Sequence, residues 1–365
     1  MKRTPLYQTH VDAGAKMGAY AGFDMPLFYP LGVKKEHLHT RAQAGLFDIS
    51  HMQQIEVSGS QAADLIARLC PYDAQAQEIG VCKYTFMLNN RAGIIDDLIV
   101  TRLSKTRFLI VANAGCADKD IAHVHAVTAD YDANATPLQR GLLALQGPLA
   151  EAVLTDLGHT VSGMRFMTGR VPAFEHFVSR TGYTGEDGFE ISVPISELNA
   201  LAKQLIADPR VEWVGLAARD ALRLEAGLPL YGQDLSEDIT PHEAGLLWAI
   251  PKNLRDGGAY IGAEALAAKI KEGRRRMRVG LLATGRPVRA GTPVVDENGI
   301  GVGTITSGGF GPTINGPMAL GLVKVGAANH PLFATVGGKR IPLTLVQPPF
   351  TPHAYKRQSQ GASAA

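Results

Sequence analysis

The chain has 365 residues, enough for two or three domains of ordinary size. Its formal net charge of +2 is too small to argue for a nucleic-acid partner or an acidic membrane surface. No apolar run approaches the length of a membrane span, and residues 1–6 (MKRTPL) have neither a hydrophobic signal core nor an Arg/Ser-rich presequence. We therefore expect a soluble protein. Three scattered cysteines without a CxxC pair predict unreactive thiols in a reducing, cytosol-like compartment: Cys70, Cys82 and Cys116.

The first fifty residues are rich in glycine, histidine, methionine and aromatic residues. Pro26 and Pro30 would break a helix around them, so irregular backbone and short strands are predicted there. His37 and His39 lie in a helix-compatible stretch, but residues two apart do not share a helix face, so no metal pair is expected. A strand at 53–57 and an amphipathic helix at 60–70 follow.

Two adjacent carboxylates mark the next segment. Residues 84–88 and 94–101 flank a turn-like stretch, NNRAG (89–93), which predicts a β-hairpin. Side chains alternate along a strand, so Asp96 and Asp97 should point to opposite faces. Burying an unpaired carboxylate is costly, hence at least one needs a partner, a wet cavity or a ligand. Alternatively, one caps the nearby turn and the other meets solvent.

Further predicted elements alternate between strands and helices, at 108–112, 117–127, 142–146 and a helix ending near residue 157. Paired strands at 174–181 and 189–193 then surround GYTGEDG (182–188), whose regularly spaced glycines predict positive φ or close backbone approach. The spacing is not that of a dinucleotide fingerprint, and a phosphate-cradling P-loop is absent.

Helices are predicted at 196–206 and 216–226, the second ending before Gly227. Arg219 and Arg223 share a face of that helix, which predicts either a cationic edge or ordinary exposed charges. After a helix at 263–271, the run RRRMR (274–278) is interpreted as a solvated junction. From residue 279 onward, short strands separated by Gly/Pro turns favour a small antiparallel β-barrel or sandwich.

Five motifs stand in order along the chain: FDISHM (47–52), GIIDDLIV (93–100), GYTGE (182–186) with GFE (188–190), ARDALRLEAG (218–227) and TSG (306–308). Together they resemble the aminomethyltransferase (T-protein) family of the glycine cleavage system, from residue 4 to residue 350. The resemblance implies an α+β fold arranged as a three-domain ring, with two folate-binding α+β domains sharing an interwoven chain and a C-terminal antiparallel β-barrel. The expected divisions are a folate-binding region at 1–270 whose second subdomain covers roughly 53–145, a barrel at 277–350 and a disordered tail at 356–365.

The family's reaction transfers an aminomethyl group from the lipoylated H-protein to tetrahydrofolate, the co-substrate, and releases ammonia. The resemblance implies Asp97 as the catalytic carboxylate beside the folate nitrogens, with Asp96 as structural support. It implies a folate site that also draws on six further residues: Glu190, Arg219, Tyr355, Asn113, Tyr183 and Met52. Met52 could equally be a core residue. No metal, nicotinamide or flavin is expected, and no nucleic acid or membrane partner.

Three alternatives stay open, one of them a scaffold for the lipoyl-bearing partner without catalysis. A related folate-dependent transferase or demethylase would use another one-carbon donor, and a non-catalytic folate-binding protein would share the scaffold. The expected compartment is a bacterial cytoplasm, or the mitochondrial matrix if the chain is a processed eukaryotic form.

Overall fold

A computed structural model describes residues 1–171 and 176–357. The helices within these ranges are α1 Tyr7–Asp12, α2 Val33–Ala42, α3 Ala62–Leu69, α4 Ala117–Thr128, α5 Ala150–Asp156, α6 Ile195–Ile206, α7 Leu216–Glu225 and α8 Ala263–Glu272. The strands are β1 Lys2–Arg3, β2 Lys16–Tyr20, β3 Phe23–Phe28, β4 Ala44–Asp48, β5 Gln53–Ser58, β6 Cys82–Leu88, β7 Ile94–Ser104, β8 Arg107–Ala112, β9 Asn134–Leu138, β10 Arg140–Gln146, β11 Thr168–Arg170, β12 Phe177–Arg180, β13 Gly188–Pro194, β14 Val211–Trp213, β15 Arg276–Ala283, β16 Pro293–Val295, β17 Gly301–Gly311, β18 Gly316–Lys324, β19 Leu332–Val336 and β20 Lys339–Val346. Among the described residues, no helix combines the length and apolarity needed to cross a membrane.

Two large sheets share the N-terminal part of the chain. One has six strands in the order β11-β12-β13-β10-β4-β14, and the other has five in the order β6-β7-β8-β5-β9. The chain leaves the six-stranded sheet after β4, builds the whole five-stranded sheet, and returns at β10. This crossing confirms the interwoven chain that the resemblance implies.

Each large sheet has one face covered by helices. Leu143, Leu145, Phe189 and Ile191 alternate along β10 and β13 and pack into the core with residues of α5 and α6. A second core packs α3 and α4 onto the five-stranded sheet.

The opposite faces of the two sheets meet in what we term the interface cluster. Met52 and Val111 are partly buried and pack against this cluster. Its buried members come from β4, β10, α7 and the residues adjoining them: Phe47, Ile49, Leu142, Ala144, Val214, Ala218 and Leu222. Because strand residues alternate between faces, Phe47, Leu142 and Ala144 lie on the face of the six-stranded sheet opposite its core with α5 and α6, and α7 packs against them there.

The C-terminal sheet is a closed barrel in the order β15-β18-β17-β16-β19-β20, closed by antiparallel pairing of β15 with β20. Closure removes the exposed edges that an open sheet of this size would have. The α+β class with a C-terminal antiparallel barrel is thus confirmed, and the barrel alternative is correct over the sandwich.

The structure differs from two local predictions and leaves parts of two others outside the described residues. The first fifty residues contain α1, which the prediction of irregular backbone and short strands missed. The arginine run is not a solvated junction throughout: Arg276 pairs with Glu243 at 2.9 Å, and Arg278 donates hydrogen bonds to the backbone oxygens of Ala244 and Gly227. The start of the strand predicted at 174–181, and residues 358–365 of the predicted tail, lie outside the described residues.

Candidate functional site

The site begins at the hairpin of β6 and β7. Its turn is closed by Asn89, whose Oδ1 accepts hydrogen bonds from the backbone N–H groups of Arg91 and Gly93 at 2.9 Å each. Asp96 is fully buried, whereas Asp97 is half-buried on the other face of β7. The predicted alternation is therefore confirmed, and the alternative in which one Asp caps the turn and the other meets solvent is wrong.

Asn113, directly after β8, connects the two carboxylates. Its side-chain amide donates to Asp96 Oδ1 at 2.9 Å and to Asp97 Oδ1 at 3.0 Å, and its backbone N–H donates to Asp96 Oδ2 at 3.0 Å. The end of β8 pairs beside β7, so the strand register brings this amide to the aspartates. Asn113 fixes the orientation of both carboxylates at once.

The surroundings of Asp97 shift its pKa toward neutrality. Burial raises the pKa of Asp97 to about 7, and the neighbouring charge of Asp96 raises it too. Hydrogen bonds from Tyr84 and Asn113 act in the opposite direction, the Tyr84 hydroxyl donating to Asp97 Oδ2 at 3.0 Å. A carboxyl group with such a pKa can both accept and donate a proton.

Tyr183 and Arg219 form the next part of the site. The Arg219 guanidinium lies over the Tyr183 ring, 4.8 Å from its centroid, and the Tyr183 hydroxyl donates to the backbone oxygen of Pro229. Burial raises the pKa of Tyr183, and the charge of Asp97 contributes to the rise. Tyr183 and Asp97 are therefore close enough to interact electrostatically. Nη1 of Arg219 is buried without a hydrogen-bond partner among the described residues. A buried, unpaired N–H of a cation favours an oxygen-bearing or anionic ligand at this position.

The glycine-rich loop that carries Tyr183 needs its glycines, as predicted. Gly185 has φ +82°, and a Cβ on Gly182 would lie 1.8 Å from Oε1 of Gln146. Gln146 is held in that position because its Oε1 accepts a hydrogen bond from the Thr184 hydroxyl and its amide donates to the Thr181 backbone oxygen.

Arg223 corrects the prediction for α7. The residue is fully buried, and its guanidinium donates to Asp220 at 2.8 Å, to Asp234 at 2.9 Å and to Ser307 Oγ at 2.8 Å. It therefore forms neither an exposed charge nor a cationic edge with Arg219. Burial of a guanidinium is possible here because carboxylates and a hydroxyl satisfy its donors.

Glu190 and Met52 belong to the interface cluster region. In the register of β10 and β13, Glu190 lies opposite Ala144, a member of that cluster, and its Oε2 accepts a hydrogen bond from the Thr181 hydroxyl at 2.6 Å. Met52 packs against the cluster and is only partly buried, so its core packing does not cover it completely. Asp97 and Val111 lie on one face of the five-stranded sheet, since Ile99 pairs with Val111 and lies two residues from Asp97. Asp97 and Glu190 thus lie on sheet faces whose residues Val111 and Ala144 both contribute to the interface cluster.

Tyr355 lies in a separate contact group. Its ring stacks on Phe166 with 3.9 Å between centroids, and His353 packs at 4.7 Å. Burial raises the pKa of Tyr355 to about 12, with smaller influences from Arg357, Arg41 and Glu186. Arg41 also donates to Glu186 and to the Thr184 backbone oxygen, which links this group to the glycine-rich loop.

Sequence reasoning missed several neighbours of Asp97. Tyr84 donates to it directly, and the exposed Trp248 stacks on Tyr84 at 5.5 Å between centroids. Behind Asp97, a carboxyl oxygen of Asp96, a carboxyl oxygen of Asp120 and Sγ of Cys116 lie within 4.8 Å of one another. We term these three buried residues the rear cluster. Only the strand register and the packing of α4 bring these residues together.

The cysteines match the prediction of unreactive thiols. All three are buried and unpaired, and burial raises the pKa of Cys70 and of Cys82 to about 12 and that of Cys116 further. A thiol with so high a pKa carries little thiolate at neutral pH.

Comparisons with known proteins agree with this fold. Residues 6–253 match the family model described as the GCVT N-terminal domain, and residues 276–351 match the glycine cleavage T-protein C-terminal barrel domain. Mitochondrial aminomethyltransferases of Dictyostelium discoideum and Pisum sativum are 38% and 39% identical to this chain, over 98% of it and over 94% and 91% of their own lengths. The crystal structure of the glycine cleavage system aminomethyltransferase T from Bartonella henselae superposes with a TM-score of 0.96 at 50% identity, covering 98% of this chain and 99% of that one. The chain therefore belongs to the glycine cleavage T-protein family of aminomethyltransferases.

Proposed function

We propose that this protein transfers the one-carbon unit of an aminomethyl group from the dihydrolipoyl arm of H-protein to tetrahydrofolate, giving 5,10-methylene-tetrahydrofolate and ammonia. Family membership supports the reaction class. The observation that carries the assignment to a site is the setting of Asp97, a half-buried carboxyl group that accepts hydrogen bonds from Tyr84 and Asn113 and whose pKa burial raises to about 7.

The proposed role of Asp97 follows from the chemistry of this transfer. In this transfer N5 and N10 of folate each form a bond to the carbon, while its bonds to the amino nitrogen and to the lipoyl sulfur break. Ammonia and the dihydrolipoyl thiol leave with the two protons lost by the folate nitrogens, and positive charge develops on nitrogen on the way. A carboxylate beside these atoms accepts a proton and stabilises the charge. The hydrogen bonds from Tyr84 and Asn113 keep the carboxylate oriented during the reaction.

The proposed folate contacts divide by chemistry. Glu190 would accept two parallel N–H bonds from the pterin 2-amino group and N3, a pairing for which carboxylates are suited. The unpaired Nη1 of Arg219 would bind an oxygen of the ligand, since a buried cationic donor without an acceptor is unfavourable. Asn113 and Tyr183 would line the same pocket beside Asp97.

Met52 and Tyr355 complete the proposed folate site. Met52 offers a polarisable side chain at the edge of the interface cluster, suited to packing against a ring. Tyr355 is connected to the pocket through Arg41 and the glycine-rich loop. No residue of this proposal requires a metal, a nicotinamide or a flavin.

The proposal extends to organisation and location. The folate-binding region would comprise residues 1–270 with its second subdomain at roughly 53–145, and the barrel domain residues 277–350. The relatives from Dictyostelium discoideum and Pisum sativum are named mitochondrial. We propose a bacterial cytoplasm as the site of action, or the mitochondrial matrix for a processed eukaryotic form.

The deciding experiment is ammonia release from aminomethylated H-protein with and without tetrahydrofolate. We expect fast release only when tetrahydrofolate is present, together with formation of methylene-tetrahydrofolate. Protein that binds tetrahydrofolate but shows no turnover with loaded H-protein would refute the transferase. Turnover with sarcosine or dimethylglycine in place of loaded H-protein would identify another donor instead.

A further inference from the structure

The rear cluster is a group of ionisable side chains that the proposed reaction does not use. Asp96, Cys116 and Asp120 are all buried, and their carboxyl oxygens and Sγ lie within 4.8 Å of one another. Lys119, next to Asp120 in the sequence, makes its hydrogen bonds outside the cluster: its Nζ donates to the Tyr231 hydroxyl at 2.6 Å and to Glu237 at 3.1 Å, although its charge acts to lower the pKa of Asp120. Two carboxylates this close, with no cation between them in the described part of the chain, do not both remain ionised.

The hydrogen bonds determine which of the two carries the proton. Asp96 accepts from both the backbone N–H and the side-chain amide of Asn113, so its ionised form is favoured. Both carboxyl oxygens of Asp120 are buried and, as acceptors, have no partner among the described residues. Asp120 can form a hydrogen bond to Asp96 only as a carboxylic acid, by donating its proton.

We propose that Asp120 is a positioning residue that stays protonated and donates its O–H to Asp96, so that Asp96 remains an anion and holds the Asn113 amide against Asp97. Three side chains then form one chain of hydrogen bonds, from Asp120 through Asp96 and Asn113 to the catalytic carboxylate. This inference rests on the proposed function of Asp97.

The electrostatics agree with this arrangement. Burial raises the pKa of Asp120 to about 10, and the charge of Asp96 raises it too. For Asp96, burial raises the pKa, whereas hydrogen bonds from Asp120, Asn113 and Cys116 oppose the rise. Asp120 is therefore the group that stays neutral at physiological pH.

Other elements around the rear cluster contribute little charge to it. Helix α3 packs against α4, but its charged side chains are exposed, and β9 has no ionisable residue. The ionisable groups that do face the cluster or the catalytic carboxylate come from β6, β7, the glycine-rich loop, α4 and the segment after α7: Tyr84, Asp97, Tyr183, Lys119, Tyr231 and Glu237.

Two substitutions that keep the γ-branched side chain of four heavy atoms test the proposal. Asp120→Asn keeps an N–H donor toward Asp96, so it should retain turnover within about threefold and leave the acid limb of the kcat–pH profile in place. Asp120→Leu removes the donor, so Asp96 should take up its own proton. Neutral Asp96 then no longer raises the pKa of Asp97. The acid limb of the kcat–pH profile should therefore move to lower pH, while kcat falls about tenfold.

The kcat–pH profile distinguishes a positioning role of Asp120 from a purely structural one. A structural defect lowers the amount of active protein but does not shift the acid limb of the profile. An Asp120→Asn profile that shifts like that of Asp120→Leu, or an unshifted Asp120→Leu profile, would overturn the proposal. Stoichiometric metal in the purified protein, measured by elemental analysis, would also overturn it.

A second measurement needs neither turnover nor the leucine variant. Infrared difference spectra of the wild-type protein against Asp120→Asn at neutral pH should show the carbonyl band of one buried protonated carboxyl group, present only in the wild type. Its absence would overturn the proposal even if the transferase assay succeeds. Its presence in a protein without transferase activity would leave the proton on Asp120 established and refute only the proposed function.

Discussion

The substitution Asp96→Asn should shift the pH dependence of turnover to lower pH. The Asp96 and Asp97 oxygens that accept from the Asn113 amide both lie about 3 Å from its nitrogen, so they are at most about 6 Å apart. Two unit charges at about 6 Å interact by about 3 kcal/mol at an effective dielectric constant of about 20, equal to about two pKa units. Because Asp97 is only half-buried, solvent screening reduces this, and we expect a shift of about one unit or somewhat more.

The sign follows from the role of Asp97 as a base. Burial, aided by the charge of Asp96, raises the pKa of Asp97 to about 7, so wild-type kcat should rise with pH through about 7 as the carboxylate forms. With asparagine at position 96 the charge is gone, the pKa of Asp97 falls, and the acid limb appears at lower pH. The midpoint pH of this limb can be measured from ammonia release by loaded H-protein in single-turnover experiments at a series of pH values. An acid limb that stays near pH 7, or moves upward, would refute the electrostatic coupling.

Three further predictions concern binding and stability. Arg223→Met should lower the free energy of unfolding by about 3–5 kcal/mol, because it removes the cation paired with the buried carboxylate of Asp234, whereas the control Asp220→Ala at a half-exposed side chain should cost at most about 1 kcal/mol in urea denaturation. Glu190→Gln should weaken tetrahydrofolate binding about tenfold in calorimetry, since a charge-assisted double hydrogen bond is lost; unchanged affinity would remove Glu190 from the pterin site. Burial acts to raise the pKa of Glu225, but the hydrogen bond and charge of His37, among other contacts, lower it to about 2. Its contribution to stability should therefore be complete above its unfolded pKa of about 4.5 and disappear as pH falls toward 2, so melting curves of Glu225→Gln should lack that part of the acid dependence.

The strand and barrel pattern could be predicted because it depends on local signals. The hairpin at the aspartates follows from β-branched runs around a glycine-containing turn, and alternation alone separates Asp96 from Asp97. The same applies to Gly182 and Gly185, where regular glycine spacing indicated the close backbone approach that the structure contains.

Contacts between distant parts of the chain could not be predicted. Burial of Arg223 depends on Ser307, which the barrel brings to it from 84 residues away. Tyr84 reaches Asp97 because a β-bulge near the hairpin end sets the register of β6 against β7, and no pattern in the sequence marks that bulge. Asp120 meets Asp96 only through the packing of α4 on the sheet.

The central claim is that Asp97 is the catalytic carboxylate, and the most direct test compares turnover with folate binding in Asp97→Asn. The account predicts that this variant binds tetrahydrofolate within about threefold of wild type but loses about a hundredfold or more of kcat, whereas Asp96→Asn loses much less. Equal losses of kcat in the two variants, or a greater loss in Asp96→Asn, would contradict it.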